Sequence, residues 1–182
     1  MIKPWEKLES LPPEDYRIFK IRTERKRSPR TGQTHDFFVI DTVDWVNVVA
    51  VTTAGQIVMV EQYRHGTNSL EIEVPGGMID PHDASPLQAA HRELLEETGY
   101  QSALPGQIIG KISPNPAIMS NTCHTVLLEQ CEFKQPPQLD QTEDVVTRTY
   151  SLAEIKAMLR NGQIRHSLVH VALHHYLQFL GE

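Results

Sequence analysis

The chain has 182 residues, 40% of them apolar and 22% charged, with a formal net charge of −6. This is ordinary composition for a globular protein able to bury a core, and its acidic balance argues against general nucleic-acid binding. The apolar runs fall well short of a membrane span, no signal-peptide pattern opens the chain, and Cys123 and Cys131 read as reduced thiols too far apart along one strand to bridge, so a cytoplasmic protein is expected.

Residues 1–43 are expected to form a small N-terminal strand subdomain and residues 44–182 the main domain. Within residues 14–43 a few strands surround the basic stretch Arg22–Arg30. Ser28-Pro29 and Thr31-Gly32 are turn signals there, which predicts a solvated hairpin loop. Trp45 to Thr52 and Gln56 to Tyr63 read as a hairpin about Ala54-Gly55. Leu70 to Val74 alternates apolar residues with Glu71 and Glu73, a strand with one charged face.

The next element is a helix. Ser85 is its N-cap, Pro86 sits at its first position and Gln88 completes a capping box. Leu87, Ala90 and Leu94 give it an apolar stripe, and Gly99 stops it. Ile108 to Ile112, His124 to Gln130 and Val145 to Tyr150 read as further strands. Ser151 and Glu154 form a second capping box, on a helix ending at Asn161-Gly162, and a last helix runs from Ser167 to about Leu180. Helices alternating with a mixed sheet predict an α/β sandwich. His166, His170 and His174 recur every four residues on the last helix without an accompanying glutamate. Packing or surface roles are therefore expected for them rather than a metal site.

The chemistry concentrates in the helix after Ser85. Glu93, Glu96 and Glu97 project from one turn, and three like charges so close repel one another. A divalent cation compensates such a group, and carboxylate oxygens are hard ligands suited to magnesium or manganese. The competing reading is a salt-bridged exposed face, begun by Arg92 and Glu96 at four-residue spacing. In front of the helix, the glycines of Pro75-Gly76-Gly77 let backbone approach a bound group closely.

Strand, Gly-Gly loop, glutamate-bearing helix and glycine stop together resemble the Nudix box, GX5EX7REUXEEXGU, where U is a bulky apolar residue. Gly77 fits the leading glycine, Arg92-Glu93-Leu94 the REU, Glu96-Glu97 the paired glutamates and Gly99-Tyr100 the end. Asp83 stands where the first glutamate is expected, and one extra residue separates it from Arg92. The resemblance covers roughly residues 40–180 and implies a Nudix α/β/α sandwich. Glu61-Gln62-Tyr63-Arg64, Glu71 to Gly77, and Pro116 sixteen residues after the box look like the ADP-ribose pyrophosphatases and related nucleoside diphosphate sugar hydrolases. That subgroup implies a homodimer formed through the N-terminal segment.

The same resemblance implies site residues. Glu93 and Glu97 would bind Mg2+ (or Mn2+), with Glu96 shared and the Gly76 carbonyl as a further ligand. The reaction implied is hydrolysis of the pyrophosphate of ADP-ribose, or of hexose conjugates such as ADP-glucose or GDP-mannose, to a nucleoside monophosphate and a sugar phosphate. Arg64 would clamp phosphate with its planar fork, or else pair with Glu71 or Glu73 on the sheet. Glu73 would touch the metal site or terminal ribose, and Asn115 and Pro116 would line the nucleoside or sugar side. The acidic loop Leu139–Asp144 would supply the general base, first Glu143 and then Asp140 or Asp144. A Nudix hydrolase of triphosphates or dinucleotides, and a non-catalytic nucleotide sensor, are the alternatives; the Pro116 context weighs against the first and the intact glutamates against the second.

Overall fold

A computed structural model describes residues 1–182. Its backbone falls into two units, Met1–Val43 with Ser113–Thr122, and Asp44–Ile112 with Cys123–Glu182. In the first, β3 (Lys20–Arg27) is the spine. It pairs antiparallel with β1 (Glu6–Ser10) and β2 (Glu14–Asp15) along one edge and with β4 (Thr34–Asp41) along the other. The basic stretch is therefore mostly strand, a correction to the expected loop; only the turn between β3 and β4 is a loop. Register explains the difference, because the arginines of β3 reach acids on the neighbouring strands. Arg22 grips Asp41 and Glu24, Arg25 takes Asp36 and Glu9, and Arg27 takes Glu6. Opposite charges across neighbouring strands stabilise the sheet that turn signals alone did not reveal. Ser113–Thr122 joins β4 through a parallel bridge between Ile40 and Met119 and a hydrogen bond from the Ser120 hydroxyl to Asp41 (2.7 Å).

The second unit is built on an eight-stranded mixed sheet. β5 (Trp45–Thr52) and β6 (Ile57–Arg64) follow the expected hairpin, turning at Gly55 with φ +75°. They pair only at Ala50–Val58 and Val51–Ile57 and then diverge. β7 (Ser69–Glu73) runs along β6 in the opened space, and β8 (Gly76–Met78) runs along β5. β10 (Gln107–Ile112) and β11 (Cys123–Phe133) extend the sheet beyond β5, with β11 parallel to it. β12 (Val145–Tyr150) closes the far side against β6, and β9 (Tyr100–Gln101) pairs with the end of β11.

Strand alternation sends one set of side chains to each face. Val46, Val48, Ala50, Val58, Val126 and Leu128 pack under α1 (Pro86–Thr98) with Ala89, Ala90 and Leu94. Val49, Ile57, Met59 and Leu127 pack under α2 (Leu152–Arg160) and α3 (Ser167–Phe179). The result is the expected α/β/α sandwich. Glu154 and Ser151 form the expected reciprocal capping box on α2. The box expected at α1 is only half present. Ser85 accepts from the Gln88 N–H, but the Gln88 side chain reaches back one residue further, to the Ala84 N–H (2.8 Å). No helix is long and apolar enough to cross a membrane.

Candidate active site

The divergence of β5 and β6 places Pro75-Gly76-Gly77 beside the middle of α1. The Val48 N–H donates to the Pro75 carbonyl (2.8 Å), and Gly76 and Gly77 pair with Asn47 and Val46. Side chains have no room there. A Cβ on Gly76 would lie 2.2 Å from the Val46 oxygen, and one on Gly77 would lie 2.6 Å from a Glu93 carboxylate oxygen. Backbone and carboxylate are thus in direct apposition, which is why only glycine fits.

Of the three glutamates, Glu93 and Glu97 are buried and Glu96 is not; its side chain is 44% exposed. Burial, the largest cause, pushes the Glu93 carboxyl up to about 7 and the Glu97 carboxyl up to about 8. The Glu97 value rises despite the Gly76 N–H, which donates to its Oε2 at 2.9 Å. It is thus the Gly76 amide that engages this cluster. Arg92 opposes the rise at Glu93. Its Nη1 donates to Glu93 (2.9 Å) and Glu96 (3.0 Å), while Nε and Nη2 take both oxygens of Asp83, and Nη2 also reaches the Met78 carbonyl (3.0 Å). Asp83, held well below its ordinary range chiefly by Arg92, braces the arginine from the loop. The extra residue before Arg92 accompanies this shorter acid.

No three His, Cys, Asp or Glu side chains converge as a metal-binding group, and Arg92 bonds both Glu93 and Glu96. The donor chemistry of the buried pair nevertheless fits a hard divalent cation. Two adjacent carboxylates are short of positive charge and line a glycine cradle, and a cation would return both to their ionised forms.

Arg64 is held by Glu73 through two parallel hydrogen bonds, from Nε (2.7 Å) and Nη2 (2.8 Å). Glu71, the other partner considered, pairs instead with Arg165 (2.6 Å). Arg64 remains 43% exposed, and it also feels the charges of Glu97 and Glu143. Glu143 in turn raises the pKa of both Glu93 and Glu97. In its own loop, Glu143 closes a turn, its Oε2 accepting from the Asp140 N–H (3.0 Å). The second unit thus gathers Gly76, Glu93, Glu96, Glu97, Arg64, Glu73 and Glu143. Asn115 and Pro116 lie in the first unit, where the Asn115 carbonyl accepts from the Met119 N–H (2.8 Å).

Asp83 as the brace of Arg92, and the Gly76 amide, escaped the sequence reading; the Asp83 substitution itself was the available signal. His166 caps α3 at the Leu168 N–H, and the His170 ring meets the Ile164 carbonyl (2.7 Å), so both serve local structure.

The NUDIX domain family model matches residues 42–170. A methanol dehydrogenase activator of Bacillus methanolicus is 29% identical over 163 residues, 89% of this chain and 86% of that protein. An ADP-ribose pyrophosphatase of Mycobacterium tuberculosis is 29% identical over 153 residues, 83% of this chain and 72% of that one. A crystal structure of an ADP compounds hydrolase shares the fold, with a TM-score of 0.86 and 21% identity over 100% of this chain and 96% of the other. With the family matched across most of the chain and its glutamate helix intact, the protein belongs to the Nudix family and is a pyrophosphohydrolase.

Proposed function

We propose that the enzyme hydrolyses the pyrophosphate of ADP-ribose, or of a related nucleoside diphosphate sugar, with magnesium or manganese held by Glu93 and Glu97. The observation that carries this reading is the buried Glu93–Glu97 pair against Gly76-Gly77, with Glu143 acting electrostatically on both carboxylates and Arg64 on Glu97. Nudix hydrolases generally use divalent metal ions, and the mycobacterial relative carries the name ADP-ribose pyrophosphatase.

Each residue has a part. When bound, the cation neutralises phosphate charge and acidifies a water. The Gly76 amide and Arg92 hold Glu97 and Glu93 in place. Glu73 occupies one edge of the Arg64 guanidinium, leaving Nη1 for a phosphate oxygen. Glu143 accepts the proton of the attacking water as general base. The water oxygen bonds to one phosphorus, the bridging P–O bond breaks, and ADP-ribose yields AMP and ribose 5-phosphate. Asn115 and Pro116 are assigned to the nucleoside or sugar side.

We also assign residues 1–43 as the contact with a second copy of the chain, since Trp5, Phe37 and Phe38 stand exposed there. Two buried free thiols suit a reducing cytoplasm. A panel of ADP-ribose, ADP-glucose, GDP-mannose and ATP, assayed with magnesium for the products named, tests the reading. Cleavage of ATP alone would overturn it.

A further inference from the structure

We propose that Lys134–Glu143 is a strap fastened to the C-terminal turn of α1, and that Gly99 and the Gln138 amide are positioning elements for the Glu143 carboxylate. The proposal rests on Glu143 being the general base of the reaction above.

A helix leaves its last four carbonyls without partners. In α1 the strap supplies one such partner and also engages the Gly99 carbonyl just beyond the helix. The Gln138 N–H donates to the Glu96 carbonyl (2.7 Å), and the Lys134 and Gln135 N–H groups donate to the Gly99 carbonyl (2.9 and 3.4 Å). Just beyond the strap, in β12, the Thr147 hydroxyl donates to the Glu97 carbonyl (3.5 Å). The loop bearing Glu143 is therefore pinned on both sides to the backbone of the residues whose side chains are Glu96 and Glu97. Pro136 and Pro137 lie between two of the pins. They have no N–H of their own and fixed φ angles, which stiffens the span.

Gly99 serves this arrangement twice. Its φ of +73° ends the helix, and a Cβ on it would lie 1.8 Å from the Gln135 oxygen. The glycine therefore clears the path of the strap as well as stopping the helix. Because the pins of the strap itself are backbone groups, no side-chain pattern announces them.

The test compares Gln138→Pro, which deletes the anchoring N–H of an exposed residue, with Gln138→Ala, which keeps it. Both are made in the wild type and in Glu143→Gln, and assayed with ADP-ribose and magnesium. The strap predicts a kcat for Gln138→Pro roughly tenfold below that of Gln138→Ala, with KM changed less than about threefold. In the Glu143→Gln background that difference vanishes, because the strap then has no base to position. Replacing Pro136 and Pro137 together by glycine, which loosens the span without touching a pin, gives the same pattern and serves if Gln138→Pro does not fold. Equal kcat values, or a tenfold loss that persists without Glu143, would overturn the proposal as a mere stability effect. Wild-type kcat in Glu143→Gln alone would instead remove the general-base assignment, and the strap's role with it.

Discussion

Replacing Glu97 by glutamine should make the metal-free protein more stable at alkaline pH while disabling the enzyme. In the fold the Glu97 carboxyl titrates at about 8 instead of 4.5, so the folded state binds a proton that the unfolded chain releases at lower pH. Stability is then greatest below 4.5 and declines as pH rises towards 8. Full ionisation costs about 5 kcal/mol at this one site, and Glu93, pushed up to about 7, declines over the same range. Glutamine keeps the acceptor for the Gly76 N–H but carries no charge to desolvate. Urea unfolding in excess chelator at pH 5 and pH 9 should show nearly equal stabilities at pH 5, and a variant more stable by several kcal/mol at pH 9. A variant no more stable than wild type at pH 9 would refute the burial argument. Added magnesium should reverse the order, stabilising wild type and not the variant.

Gly77→Ala should force Glu93 aside, because the new methyl falls 2.6 Å from its oxygen; kcat should drop at least about tenfold, and calorimetry should show weakened magnesium binding. Asp83→Asn should leave Arg92 without its brace, costing about 1–3 kcal/mol in denaturant unfolding at pH 7. The lowered Asp83 pKa means its contribution is present above the ordinary carboxylate range and lost as pH falls below it, so the wild type and variant stabilities should converge in acid. Arg64→Lys should raise the KM for ADP-ribose more than it lowers kcat, since an ammonium cannot hold Glu73 and phosphate together.

The helix at the centre of the site could be read residue by residue. Ser85, Pro86, the apolar stripe and Gly99 mark its ends and its buried face, and the observed span is Pro86–Thr98. β12 and α2 were equally legible, because alternation and a capping box are local signals. What escaped depends on register or on backbone. The cations of Arg22–Arg27 look like a loop until β1 and β4 bring Glu6, Glu9, Asp36 and Asp41 opposite them. That Ser113–Thr122 joins the first unit follows from a bridge to Ile40 across almost eighty residues. The glutamates were identified together, but burial separates Glu93 and Glu97 from the half-exposed Glu96, and spacing along a helix does not report burial. Asp83 reads as a departure from the family pattern; in the fold it is one end of the ion pair that holds Arg92.

The central claim is that the buried glutamate pair serves cleavage of a sugar-linked pyrophosphate. Incubation of the wild type and Glu97→Gln with ADP-ribose and magnesium, followed by chromatography of the products, tests it most directly. The account predicts AMP and ribose 5-phosphate in equal amounts from the wild type, and a rate lower by at least about a hundredfold in the variant. Intact ADP-ribose after incubation with the wild type, or equal turnover by both proteins, would contradict it.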